Sequence, residues 1–186
     1  PADARVRRTI AQLLLADKKG LEALRYLGKA AQIDAKGVSE DDVRQATSLA
    51  LSVPESVDEA VTLLETDLGA VGVDVLYSLS TRPGLPRAKQ TRLSLSLSKP
   101  SVRAHASPSL AVTLDLRSTS KCEAKRSLLK RAAEQGDERT LDQLKPLTVM
   151  ANCGPLGLLD CWPCLHNDKQ LTDTISAIET RLKNRM

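Results

Sequence analysis

Short stretches in which apolar side chains recur every three or four residues follow one another along the chain, and Gly or Pro separates most of them. This spacing lines one face of an α-helix with apolar groups. The 186 residues include no Phe, one Trp and two Tyr, so Leu, Val and Ala have to fill the core. Ala and Leu favour helices, and so few aromatic residues are atypical of a β-sandwich. The sequence therefore predicts an all-α fold of about ten short helices, arranged as stacked helical hairpins or as an irregular helical bundle.

The predicted helix boundaries follow from the capping and turn residues at the ends of these stretches. Ser39 is a typical N-cap, and Ser56 with Glu59 matches the pattern of a capping box. The segment 93–98 alternates Leu with Ser as a strand would. Helix-forming residues precede it, however, and a lone strand has no partner, so we predict a helix there. The helices are predicted at about 3–16, 21–33, 39–51, 57–68, 71–81, 86–98, 100–105, 108–117, 121–135, 138–149 and 169–183.

For two of these helices the sequence predicts which face is buried and which faces solvent. In the first helix, Val6, Ile10, Leu13 and Leu14 share one side, and we predict that this side is buried. In the helix at 121–135, one group of basic side chains is predicted to face solvent. These are Lys121, Lys125, Arg126, Lys130 and Arg131.

The helix-turn-helix pattern at 121–149, with its Gly136-Asp137 turn, resembles a HEAT or armadillo-type repeat unit. The resemblance is one of pattern, covers two or three units, and comes without a fixed-period sequence repeat. It implies a curved, HEAT-like α-solenoid with a binding surface rather than an enzyme. The length predicts a single all-α domain over 1–186, made of a helical stack at 1–117 and a terminal part at 118–186. That terminal part holds a hairpin, a cysteine-rich turn and a C-terminal helix.

Three of the four cysteines, Cys153, Cys161 and Cys164, lie in one turn, and Cys122 opens a helix upstream. If the two helices before this turn form an antiparallel hairpin, Cys122 and Cys153 lie at the same end of it, and all four thiols can gather. Two disulfides would staple this corner, as would one zinc ion held by four thiolates; buried reduced thiols are the third interpretation. We favour disulfides because zinc sites usually have two Cys-x-x-Cys pairs and this chain has one. The connectivity stays open between Cys122–Cys153 with Cys161–Cys164 and either crossed pairing.

The sequence Cys161-Trp162-Pro163-Cys164 also resembles a thioredoxin-type redox motif, in which the first cysteine is the attacking nucleophile. Such motifs lie at a strand-to-helix junction, and no strand is predicted here. A thiol-disulfide oxidoreductase is therefore an alternative and not the main prediction. His166, close behind, could replace a cysteine as a zinc ligand, although we favour an exposed loop histidine. No residue set amounts to a catalytic site, and no cofactor is predicted.

Charge is distributed unevenly along the chain. Residues 1–74 contain nine basic and thirteen acidic side chains, whereas residues 75–131 contain twelve basic and two acidic ones. Such asymmetry can mark a surface for an acidic partner. The candidate binding face consists of Arg82, Arg87, Lys89, Arg92, Lys99 and Arg103. Nucleic acid is a possible partner for it through charge alone, but aromatic side chains for stacking on bases are almost missing.

Together these features predict a non-enzymatic interaction or sensory domain, stapled by cysteines, that binds a protein or another acidic macromolecule. A HEAT-like nucleic-acid-binding domain and the oxidoreductase are the alternatives. Disulfides favour an extracytoplasmic or secreted location, of a bacterial type, over a cytoplasmic one. No apolar run is long enough to span a membrane. The start Pro1-Ala2-Asp3-Ala4 is typical of the end of a linker, which favours a fragment of a longer protein.

Overall fold

The computed structural model of the chain describes residues 2–150, 153–154 and 159–184. The predicted all-α fold is confirmed: within these ranges there are twelve α-helices, three short 3-10 turns and no strand, apart from a single bridge between Cys153 and Leu159. None of the described helices has the length and apolar character needed to cross a membrane. The helices are α1 (Ala2–Ala16), α2 (Gly20–Ala31), α3 (Glu40–Leu51), α4 (Val57–Thr66), α5 (Gly69–Ser80), α6 (Arg87–Ser98), α7 (Pro100–Arg103), α8 (Pro108–Ser118), α9 (Cys122–Gln135), α10 (Glu138–Leu144), α11 (Pro163–His166) and α12 (Gln170–Lys183).

The helices group into two compact units, Pro1–Ser107 and Pro108–Met186. The first unit contains α1 to α7 and the second contains α8 to α12. The second unit begins at Pro108, which opens α8. The single domain over 1–186 stays a prediction.

The first unit is a two-layered stack of helical hairpins. Helices α1, α3 and α5 contact one another in succession, and so do α2, α4 and α6, while neighbours in sequence pack across the two layers. Isolated helices of this length are only marginally stable in water, so each is stabilised by packing against helices of its own layer and of the other layer. The resemblance to HEAT repeats stays a prediction.

The buried face of α1 differs from the predicted one. Ala4, Ala11 and Leu15 are buried, whereas Val6 and Leu13 are 57% and 64% exposed. The prediction that Val6 and Leu13 face the core was therefore wrong. Alanine side chains let the backbone of α1 lie close to α2 and α3, which α1 contacts. Apolar periodicity gives weight to large side chains and does not detect this kind of close packing.

The first residue of α2, Gly20, marks a second close approach in this unit. A Cβ atom at Gly20 would lie 2.5 Å from Leu49 Cβ, 2.6 Å from the Ala46 carbonyl oxygen and 2.6 Å from the Ala50 nitrogen. Two of these three neighbours are backbone atoms of α3, which cannot turn aside as a side chain can. The absence of a side chain at Gly20 therefore sets how closely α2 and α3 pack.

Two predicted N-caps have different outcomes. Ser39 accepts a hydrogen bond from the Asp42 amide and caps α3 as predicted. The capping box at Ser56 and Glu59 was wrong, because Ser56 makes no capping hydrogen bond. A 3-10 turn runs directly into α4 there, so Ser56 already has helical backbone angles. The Glu59 carboxylate instead accepts two hydrogen bonds from Arg25 of α2, at 2.6 and 2.8 Å.

The alternating segment at 93–98 forms the end of α6, which confirms the prediction of a helix. Leu93 and Leu97, four residues apart, are buried, while Leu95 is exposed. The buried Ser96 hydroxyl accepts a hydrogen bond from Arg92 and donates one to the Arg92 carbonyl oxygen. Local hydrogen bonding of this kind lets serine lie in a helix interior.

The second unit packs α9 against α8 and α12, and α10 against the same two helices. Asp137 caps α10 in a capping box with Thr140, whose hydroxyl lies 2.8 Å from that of Thr113. After Leu144 the chain tightens into a 3-10 turn that contains Pro146, as expected where proline removes a helical hydrogen bond. The second unit therefore buries one apolar core among five helices, α8 to α12.

Candidate functional site

All four cysteines of the chain are paired in two disulfides in the second unit. Cys122 bonds to Cys164 with their Cα atoms 6.0 Å apart, and Cys153 bonds to Cys161 with their Cα atoms 5.1 Å apart. This is one of the two crossed pairings that the sequence left open. No thiolate remains for a structural zinc ion, so the zinc and reduced-thiol interpretations were wrong. Among the described residues, no group of three or more His, Cys, Asp or Glu side chains could hold a metal ion.

The Cys122–Cys164 disulfide attaches the short helix α11 to the start of α9. Cys122 is the first residue of α9, and Cys164 is buried in the same apolar cluster as Leu129 and Leu171. The bond thus anchors the cysteine-rich segment directly to the core of the second unit. It acts as the staple that the sequence predicted.

The Cys161-Trp162-Pro163-Cys164 motif does not form the dithiol pair of a thioredoxin-type enzyme. Its two sulfurs are bonded to different partners, Cys153 and Cys122. Pro163 opens a helix of four residues, and no strand precedes it among the described residues. The motif places its two cysteines in two separate bridges.

Lys125, predicted to face solvent, is only 8% exposed. Its Nζ atom donates a hydrogen bond to the Leu116 carbonyl oxygen at 2.5 Å and lies 5.0 Å from the centre of the Trp162 ring. Burial lowers the pKa of the Lys125 amine. The sequence spacing could have indicated this contact. Lys125 lies three residues after Cys122 and on the same face of α9. The disulfide from Cys122 to Cys164 therefore brings Trp162, two residues before Cys164, over Lys125.

His166 is also more enclosed than predicted, with a side chain that is 10% exposed. Nδ1 lies 2.6 Å from Asp160 Oδ2, and Nε2 lies 2.8 Å from the Leu147 carbonyl oxygen. Both neighbours accept hydrogen bonds, so both contacts are satisfied together when the ring is the doubly protonated imidazolium. The hydrogen bond to Asp160 raises the pKa of His166, and the same bond lowers the pKa of Asp160. The exposed-loop interpretation of His166 was wrong.

We expect this pair to make stability depend on pH. The pKa of His166 is raised on folding, so its contribution is complete below its unfolded value of about 6.5 and is lost as pH rises through the folded value. The pKa of Asp160 is lowered on folding, so its contribution is present above about 3.9 and is lost as pH falls through the folded value. Urea unfolding from pH 5 to 9 should show the free energy of unfolding falling towards alkaline pH.

The His166→Gln variant should have a flatter pH profile than the wild-type chain. His105→Gln is the matched control, because His105 is the other histidine and is exposed. A profile for His166→Gln as steep as that of His105→Gln would contradict the assignment.

In the first unit, three residues of the candidate binding face contact groups of the same unit. Lys99 pairs with Glu65 at 2.8 Å, and Arg92 pairs with Asp58 at 3.2 Å and lies 3.9 Å from Glu65. The amine of Lys89 donates a hydrogen bond to the Leu51 carbonyl oxygen. These three residues therefore contact the acidic segment 1–74 of the chain.

Glu65 is the centre of this charge cluster, with a side chain that is 11% exposed. Burial alone would raise the pKa of its carboxyl group. Hydrogen bonds from Lys99 and Ser96, together with the charge of Arg92, hold that pKa below its ordinary value instead. Glu65 therefore stays ionised and holds two of the predicted binding residues against α4.

The other three residues of the candidate face are placed differently. Arg82 and Arg87 are exposed, and neither forms an ion pair with any residue in 2–150, 153–154 or 159–184. Arg103 is half-buried at the end of α7. Arg82 and Arg87 are thus the members of the face whose charges the described part of the chain leaves unneutralised.

Comparison with protein-family models, with curated proteins and with solved structures finds no match to this chain. Function is therefore inferred from the surface and the chemistry of the molecule itself. The informative features are the stapled corner of the second unit and the two exposed arginines of the first.

Proposed function

We propose that the chain is a non-enzymatic interaction domain that binds an acidic segment of a partner protein through Arg82 and Arg87. The observation that carries this proposal is the division of charge within the first unit. Lys89, Arg92 and Lys99 contact groups of their own unit, whereas Arg82 and Arg87 are exposed with no ion pair among the described residues. Exposed arginines without carboxylate partners are suited to bind carboxylates of another molecule, because the guanidinium group presents a planar array of donors.

A protein partner fits this arrangement better than nucleic acid does. A phosphate backbone is bound by many neighbouring cations, and here several of the basic side chains are paired within the molecule. Single strands are bound by stacking on aromatic rings, and the chain contains one Trp and two Tyr. A peptide with a few carboxylates needs fewer cationic partners than a phosphate backbone does, and two arginines can provide them.

The proposed location is extracytoplasmic. Two disulfides support it, because such bonds persist in oxidising compartments and are rare in the cytosol. Alkylation of free thiols in intact cells, before lysis, tests this. Four blocked cysteines would contradict the location, and no blocked cysteine is the expected result.

We expect the chain to bind an oligoglutamate peptide with an affinity that falls as salt rises, since both contacts are exposed charge pairs. The double variant Arg82→Glu/Arg87→Glu should bind more than about tenfold more weakly, because two attractive pairs become repulsive ones. Fluorescence anisotropy of a labelled peptide at two salt concentrations measures both effects.

Lys121→Glu/Lys130→Glu is the matched control, because it makes the same change in net charge on exposed residues of the second unit. Equal loss in both double variants would show a response to net charge alone and would overturn the proposed site. Tighter binding to duplex DNA than to the peptide, lost in Arg82→Glu/Arg87→Glu, would establish nucleic acid as the partner instead. Binding of the peptide that does not respond to salt would also contradict the proposal.

A further inference from the structure

A groove with a volume of 740 Å³ lies between α3 and the end of α5 in the first unit. Both helices belong to the same layer and contact each other. Most of the side chains that line it are polar or charged, and they come from two short sequence segments. They are Asp41, Arg44, Gln45, Ser48, Ser78, Leu79 and Arg82.

The spacing of these residues explains why the groove is polar. Helix α3 buries Val43, Ala46 and Ala50 on one face, so its residues 41, 44, 45 and 48 share the opposite one. Leu79, buried at the end of α5, gives the groove an apolar contact. The groove is therefore lined mainly by side chains that can form hydrogen bonds or ion pairs with a polar peptide.

Two arginines line this groove, one from each segment. Arg82 forms no ion pair with a described residue, whereas Arg44 pairs with Asp41, three residues before it. The side chains of Arg44 and Asp41 are 47% and 79% exposed, so water reaches both. A guanidinium group has five N–H donors, and one carboxylate does not use them all. Arg44 can therefore donate hydrogen bonds to a second carboxylate, and Asp41 competes with that carboxylate for Arg44.

We infer that this groove binds a carboxylate side chain of an acidic peptide between Arg44 and Arg82, with Asp41 as an internal competitor for Arg44. The inference rests on the proposed function, since it assigns the site to which Arg82 belongs. It adds Arg44, which lies in the acidic segment 1–74 and outside the predicted binding face. Gln45, Ser48 and Ser78 supply polar groups for the peptide backbone along the same groove.

Because Asp41 competes with the peptide for Arg44, substitutions of these two residues should change the affinity in opposite directions. A general attraction between charges would not distinguish Asp41 from its acidic neighbours. Arg44→Gln should weaken binding of the oligoglutamate peptide about fivefold, the size expected for one exposed ion pair. Asp41→Asn should strengthen binding about threefold, because it frees Arg44 and removes a repulsive charge. Glu40→Gln is the control, since Glu40 is exposed, carries the same charge in the same first turn of α3 and does not line the groove.

Isothermal titration of these three variants, of Arg82→Glu/Arg87→Glu and of the wild-type chain with oligoglutamate, at one low salt concentration, tests the site. Stronger binding by Asp41→Asn than by Glu40→Gln, together with weaker binding by Arg44→Gln, is the expected result. If Arg82→Glu/Arg87→Glu abolishes binding while Arg44→Gln binds like wild type and Asp41→Asn like Glu40→Gln, the groove is overturned and the proposed function stands. No binding by the wild-type chain overturns both.

Discussion

Replacing Cys122 and Cys164 together by serine is expected to lower the free energy of unfolding of the second unit by about 4 kcal/mol. The bond joins residues separated by 42 positions, so its removal restores much conformational freedom to the unfolded chain. The contact of the partly buried Trp162 ring with Lys125 depends on the same attachment, because this bond anchors α11 to α9. No other change considered for this chain should have a larger effect.

The Cys153→Ser/Cys161→Ser pair is the matched control, with a sequence separation of 8 and an expected loss of about 2.5 kcal/mol. Trp162 is the only tryptophan and lies in the second unit, so its fluorescence during urea unfolding reports that unit. Equal midpoints for the two double variants would contradict the assigned role of the long-range bond.

Gly20→Ala should destabilise the first unit by about 2 kcal/mol, an effect of opposite sign to that of most exchanges of glycine for alanine in helices. The added Cβ would lie within 2.6 Å of two backbone atoms of α3, so the two helices would have to move apart. Gly28→Ala, in the same helix, is the control, because the nearest atom there is a side-chain carbon at 3.0 Å. Its effect should stay below about 1 kcal/mol.

Far-UV circular dichroism during urea unfolding measures both exchanges, because the first unit is built from helices. Cleavage by a protease under native conditions provides a second measurement that does not depend on the helical signal. Gly20→Ala unfolding at the same urea concentration as the wild-type chain would show that α2 and α3 are not in close contact at Gly20.

Most of the helices could be predicted because local forces set them, whereas α11, a helix of four residues, is too short for apolar periodicity to reveal and was not predicted. Ser39 and Asp137 cap helices through their own side chains, and Pro146 removes a hydrogen bond wherever it lies in a helix. The face that α1 buries could not be predicted in the same way. Ala11 is buried and Leu13 is exposed because neighbouring helices pack close to α1, and this tertiary packing is not visible in the local sequence.

The candidate binding face shows the same limit for charges. Local sequence gives the basic residues no acidic neighbour, yet Arg92 and Lys99 each pair with an acid 34 residues earlier. Arg25 pairs with Glu59 across the same separation of 34 residues. Each of these pairs joins α4 to α2, to α6 or to the residue that ends α6, and α2 and α6 are the neighbouring helices of its layer. These contacts depend on how the helices stack, which the local sequence does not specify.

The Cys153–Cys161 ring lies entirely inside the loop that Cys122–Cys164 closes. Hydrolysis of any single peptide bond between Cys122 and Cys164 leaves both fragments in one covalent molecule, because the Cys122–Cys164 disulfide still joins them. The C-terminal fragment would keep α12 beside α9, with no need to find it again by diffusion. Where proteases are active and reductants are scarce, the Cys122–Cys164 bond therefore keeps a chain with one cleaved peptide bond in a single molecule.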